Sequence, residues 1–146
     1  MTQPLFVDTG AWIAYFDRSD NAHTAFKDCL SLAVTGTSWL LHTSDYVIDE
    51  TVTFLRYHVS HATACVALDR LRDLETAGLL VCHDIDKVLR LRAQEIFRQY
   101  DDQKFSFTDC TSFALCRMHQ IRHVVTVDSD FRILGFLIIP EDGSLS

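Results

Sequence analysis

With 146 residues, 48% of them apolar and 23% charged, the chain has the make-up of one globular domain over residues 1–146, which excludes a disordered segment. A formal net charge of −7 excludes a general polycation, so any contact with nucleic acid needs bridging cations or locally concentrated positive charge. No apolar run approaches the ~20 residues of a membrane span and no basic-then-apolar leader opens the chain, so a cytoplasmic protein with no membrane partner is expected.

In chain order, Leu5 to Val7 is a short apolar run that stops on Asp8-Thr9-Gly10, the pattern of a central parallel strand ending in a carboxylate. Thr9 to Asp17 has helical apolar spacing, and Asp20 or Asn21 can cap a second helix that runs to about Thr35 and ends at Gly36. Ser38 to Thr43 is the second strand candidate. Ser44 or Asp45 then caps a helix through about Tyr57, with Val47, Thr51, Phe54 and Leu55 on one face. Ser60 opens a helix carrying Val66, Leu68, Leu71 and Leu74 that stops at Gly78, and Leu79 to Cys82 is a third strand.

Asp84 or Asp86 begins a long helix with Val88, Leu89, Leu91, Ile96 and Phe97 as apolar positions, and Tyr100 to Ser106 is loop. Phe107 to Gln120 is helical, Val124 to Val127 a fourth strand, Asp130 to Leu134 a short helix, and Leu137 to Ile139 an edge strand before a polar tail. Strands alternating with helices predict an α/β fold with a mainly parallel sheet covered on both faces. The cysteines at 29, 65, 82, 110 and 116 are odd in number and lack a CxxC pair, so they are expected to be small buried hydrophobes rather than zinc ligands or disulfides.

Three aspartates fall at corresponding places. Asp8 follows the first strand, Asp128 follows the fourth, and Asp109 opens the helix before the fourth; Glu50 lies one to two turns into the helix after the second strand. Taken singly, each aspartate reads as a helix cap, and Ser106 to Asp109 fits a capping box; Glu50 singly reads as a solvated face residue. Taken together at the carboxyl edge of a sheet, where open α/β folds bind ligands, the acids would repel one another unless a divalent cation joined them. Hard oxygen ligands of this kind suit Mg²⁺ or Mn²⁺.

On Val7-Asp8-Thr9, Glu50, Asp109 with the small residues after it, and Thr126-Val-Asp-Ser-Asp130-Phe131, nearly the whole chain resembles the PIN domain, the nuclease fold of VapC-type toxins. That resemblance implies a three-layer α/β/α sandwich with a roughly five-stranded sheet, the first strand central, and a homodimer. It implies that Asp8, Glu50, Asp109 and Asp128 are the catalytic, metal-binding acids, that Thr9 and Thr126 support them, and that Asp130 is an auxiliary acid or a helix cap. The implied function is a divalent-metal-dependent endoribonuclease, using Mg²⁺ or Mn²⁺ on RNA, as the toxin of a toxin–antitoxin module with a small antitoxin partner. The chain departs from an RNA-binding pattern in lacking a strongly basic stretch. Arg56, Tyr57 and His58 are the candidates for a phosphate and a base contact, against the plainer reading that they are simply exposed.

Two other functions stay open. A receiver-like phosphoryl-transfer domain also ends a central strand in Asp, but Lys27, Lys87 and Lys104 all precede the fourth strand, whereas such sites need a lysine near a late one. A catalytically inactive PIN-like protein would bind RNA or a partner without turnover. Other local patterns have plain explanations. His58 and His61 have a metal-like spacing that Ser60 interrupts, Trp12, Tyr15 and Phe16 read as core rather than a base platform, and Lys87, Arg90, Arg92 and Arg98 read as a solvated helix face.

Overall fold

The computed structural model describes residues 2–140, and the polar tail expected after the last strand lies outside them from residue 141. In chain order the elements are β1 (Gln3–Val7), α1 (Thr9–Phe16), α2 (His23–Thr35), β2 (Trp39–Ser44), α3 (Asp45–His58), α4 (His61–Thr76), β3 (Leu80–His83), α5 (Lys87–Gln99), α6 (Phe107–Met118), β4 (His123–Val125), α7 (Asp130–Ile133) and β5 (Leu137–Ile139). The five strands form one all-parallel sheet in the order β3-β2-β1-β4-β5, so the first strand is central as its sequence predicts.

That order reverses direction once. The chain steps outward from β1 to β2 and β3, then crosses back to β4 and β5. Parallel crossovers are right-handed, which puts α1 to α4 on one face and α5 to α7 on the other. The packing largely divides in the same way, with α1 against α2 and α3, α3 against α4, and α5 against α6, while α3 also meets α6 across the division. The junction of β1 with β4 is therefore the topological switch point, where loops from opposite faces leave a crevice at the strand ends.

Leu5, Phe6 and Val7 are fully buried because β1 is covered on both faces, and each such side chain contributes about 1.5–3 kcal/mol of burial. Just behind its end, the Trp12 indole N–H donates to the Thr43 hydroxyl at 3.2 Å, and that hydroxyl donates to the Val7 carbonyl at 3.1 Å. This buried chain of hydrogen bonds ties α1 and β2 to the peptide immediately before Asp8.

Side-chain caps start most helices where the sequence places them. Ser44, Ser60, Asp86 and Ser106 accept from the backbone N–H three residues on. For α2 the expected cap is displaced. The Asp20 carboxylate instead accepts from Ala22 N–H in a turn, and the helix starts at His23, whose ring nitrogen contacts the Ala14 carbonyl at 2.8 Å. The apolar stripes are also narrower than the count of large side chains suggested. α5 buries Leu89, Ala93 and Ile96 while Val88, Leu91 and Phe97 stay about half exposed; α4 buries Ala64, Ala67, Leu71 and Leu74 but not Val66 or Leu68; Phe54 lies at the margin of α3. Alanines at the right helical phase take the contact positions. Of the cysteines, Cys29, Cys110 and Cys116 are buried, but Cys82 is half-buried and Cys65 is exposed on α4, contrary to expectation.

On β2 and β3, His42 Nδ1 meets His83 Nε2 at 2.8 Å, and His119 packs against His83 with ring centroids 4.5 Å apart. Burial, then the neighbouring imidazoles, pushes His42 down to about 4, and burial also lowers His83. The unfolded chain therefore binds protons that the folded chain refuses, and these groups' contribution to stability is lost as pH falls from 6.5 towards 4. His42→Asn is expected to flatten the decline of melting temperature over that window, and an unchanged pH profile would contradict this.

Candidate functional site

The switch point brings Asp8, Asp109 and Asp128 within electrostatic reach of one another, with Glu50 within reach of Asp109. Asp8 N–H donates to the Val125 carbonyl at 3.0 Å, extending the β1–β4 ladder by one residue and setting the carboxylate at the mouth of the crevice. Asp8 occupies the N-cap position of α1, yet its side chain makes no capping hydrogen bond. Instead the Thr126 hydroxyl donates to Asp8 Oδ2 at 3.0 Å and itself accepts from Asp128 N–H at 2.9 Å. Thr126 thus clasps the ends of β1 and β4 together.

Asp8 is only 5% exposed. Burial first, then the charges of Asp109 and Asp128, push its carboxyl up to about 7 against the lowering effect of the Thr9 N–H and the Thr126 hydroxyl. Asp109 is also raised, by burial and by the charges of Asp128 and Glu50, with the Ser106 hydrogen bonds opposing. Among the described residues burial, the neighbouring acids and the hydrogen bonds named are the influences on the two carboxyls.

The remaining acids sit as follows. Asp109 is the third residue of α6 and completes a capping box with Ser106, whose N–H donates to Asp109 Oδ2 at 3.0 Å. Its cap reading is therefore correct, and its charge still reaches the crevice. Asp128 is half-buried, and its Oδ1 accepts from Asp130 N–H at 2.9 Å. That bond gives Asp128, rather than Asp130, the cap-like role at α7; Asp130 is the first residue of that helix, with its carboxyl raised by burial and by Asp128. Glu50 is exposed on α3.

Three further residues shape the site. The Thr9 hydroxyl is buried with no hydrogen-bond partner among the described residues, as is the Ser112 hydroxyl. Ser112 lies one turn on from Asp109 and one before Cys116, a thiol raised by burial and by the charge of Asp8. Gly10 leaves room for the loop after β4, because a Cβ there would collide with the Val127 side chain. The sequence flagged Thr9, but Ser112 and the need for Gly10 show only once β4 is seen beside α1.

Behind α6, Phe113 packs edge-on against Phe105 and Phe131 with ring centroids 5.0 and 4.9 Å apart, which fixes the helix that carries Asp109. Of the substrate candidates, Tyr57 and His58 line a groove of about 400 Å³ along α3 together with Glu50, while Arg56 is exposed and not part of its lining. On the basic helix face, Arg90 donates to the Ile85 carbonyl at 2.8 Å, and Arg92 borders a groove of about 360 Å³ with Arg117 between α5 and α6.

The donor set fits a hard divalent cation. Among the described residues it is made of carboxylates that raise one another's pKa, beside two buried hydroxyls without a hydrogen-bond partner there. Among the described residues no three His, Cys, Asp or Glu side chains stand in an arrangement that alone would hold an ion. Mg²⁺ commonly completes its shell with waters and substrate phosphate, so one or two carboxylates can suffice. No helix among the described residues is long and apolar enough to cross a membrane.

The PIN domain family model matches residues 5–137. The 23S rRNA-specific endonuclease VapC20 of Mycobacterium tuberculosis is 28% identical over 133 residues, covering 91% of this chain and 95% of that protein. Ribonuclease VapC26 of the same organism is 28% identical over 144 residues, covering 93% and 100%. The crystal structure of VapC20, described as a sarcin-ricin loop cleaving toxin, superposes with a TM-score of 0.79 at 27% identity over 90% of this chain and 95% of that one. VapBC2 from Rickettsia felis, bound to a DNA fragment from its promoter, shares the fold with a TM-score of 0.67 at 12% identity, covering 93% and 97%.

Proposed function

The chain belongs to the PIN-domain family, and on that premise we propose that it is a divalent-metal-dependent endoribonuclease of the VapC toxin type. The single observation that carries this reading is Asp8, a carboxylate at the topological switch point raised by its burial and then by Asp109 and Asp128, with no basic side chain acting on it among the described residues. Structural burial alone would select an apolar residue here, because an unpaired buried acid costs stability. The relatives that cover almost the whole chain act on RNA by name, which supports RNA as the substrate.

In this reading Asp8, Asp109, Asp128 and Glu50 would share the holding of Mg²⁺ or Mn²⁺ with waters and substrate phosphate, and the ion would polarise the phosphate and raise the acidity of water. Thr126 fixes the Asp8 carboxylate through its hydroxyl, and Asp128 is oriented by its bond to Asp130 N–H. The capping box holds Asp109 by one oxygen and leaves Oδ1 for the site. Water loses a proton as its oxygen bonds to phosphorus, the phosphorus–O3′ bond breaks, and O3′ takes up one proton in turn, so the two transfers balance.

The products are accordingly a 5′-phosphate and a 3′-hydroxyl, and end-labelling of the fragments tests this. A 2′,3′-cyclic phosphate would contradict the proposal, since it arises from attack by the ribose hydroxyl. The crevice's negative charge, and the VapBC assembly of a structural neighbour, support a small antitoxin that reaches the acids with an Arg or Lys. A homodimer also belongs to the proposal.

A further inference from the structure

We propose that the groove along α3 is a subsite for an unpaired nucleobase next to the cleaved phosphate; this rests on the RNA-cleaving reading above. Glu50, Phe54, Tyr57 and His58 recur at helical spacing and line the groove with Asp49 and Thr108, the residue before Asp109. The groove thus begins beside the acids, at Glu50, whose charge reaches Asp109, and at Thr108, which precedes it, and its volume of about 400 Å³ matches a base with part of its ribose.

Its walls choose the part of RNA that enters. Asp49 and Glu50 repel phosphate, while flat ring faces attract a base whatever its sequence. The Phe54 and His58 rings lie parallel, with planes 13° apart and centroids 4.2 Å apart, and form a two-ring stack. His58 Nδ1 sits 3.1 Å from the Phe54 carbonyl, which fixes the imidazole and leaves Nε2 free to meet the edge of a base. Tyr57 beside them is 80% exposed, so its ring has little packing role among the described residues. A purely structural role would have these rings buried against a neighbour; they instead line the exposed groove along α3.

The test uses a short synthetic RNA spanning a cut site mapped in total RNA, with each base beside the cut replaced in turn by an abasic nucleotide. One abasic position is expected to lower kcat/KM of the unaltered protein about 10-fold to 100-fold. Tyr57→Ala and His58→Ala should lose a comparable factor on intact RNA and lose no more on that abasic RNA, while Tyr57→Phe, which restores the ring, should recover most of the loss seen in Tyr57→Ala. Independent, multiplying losses would overturn the subsite. So would loss of activity that tracks conversion of a dimer to a monomer in sedimentation, which would make this face an interface between copies. If the unaltered protein cuts no RNA in Mg²⁺ or Mn²⁺, the nuclease reading itself fails and the subsite falls with it.

Discussion

Asp8→Asn is expected to lower RNA cleavage on the order of 10³-fold while raising the melting temperature of the metal-free protein at neutral pH. The loss follows because several kcal/mol of transition-state stabilisation depend on an ion this carboxylate would hold. The gain follows from burial. Asp8 ionises near 3.8 in the unfolded chain and at about 7 in the folded one, so between those values the folded chain keeps a proton the unfolded chain has released. Its contribution to stability is therefore greatest below 3.8 and is lost as pH rises through 7.

Asparagine has the same shape, carries no charge and still accepts from the Thr126 hydroxyl, so the variant escapes that cost, which is on the order of a few kcal/mol. A rise of about 5–10 °C at neutral pH, shrinking towards pH 4, is the expected melting result. Added Mg²⁺ should stabilise the unaltered protein and leave Asp8→Asn nearly unmoved. A variant that is both active and no more stable would contradict the account.

Asp109→Asn separates two roles that one residue combines. The amide oxygen can still accept from Ser106 N–H, so the capping box survives and stability should change by less than about 0.5 kcal/mol. Cleavage should nevertheless fall about 100-fold, because the negative charge that faces Asp8 and Asp128 is gone. Ser106→Ala has the opposite signature. It removes the acceptor for Asp109 N–H and costs about 1 kcal/mol of stability, with a loss of activity below about tenfold. An active but destabilised Asp109→Asn would make Asp109 a cap and nothing more.

The sequence makes the central place of β1 legible because a short apolar run four residues from the start and closed by Asp8 reads as a strand buried on both faces. The capping serines at 44, 60 and 106 are legible for a similarly local reason, since cap and acceptor lie within four residues. What depends on contacts distant in sequence is not. Thr126 reads as a hydroxyl beside an acid, but its bond to Asp8 spans 118 positions. Ser112 reads as a small helix residue, and only the packing of α6 against the switch point turns it into a buried, unpartnered hydroxyl. The large residues Val88, Leu91 and Phe97 draw attention from Ala93, which is fully buried because helix phase, not side-chain size, decides contact. Tyr57 and His58 share Glu50's face of α3 while Arg56 does not, a distinction set by helical spacing.

The central claim is that a cation held by the acids at the switch point cuts RNA. Chelator-stripped protein, freed of any bound partner, is incubated with total RNA with and without Mg²⁺ or Mn²⁺, beside Asp8→Asn. Discrete fragments are expected only with the metal and only from the unaltered protein. Equal cutting in chelator, or by Asp8→Asn, would contradict it.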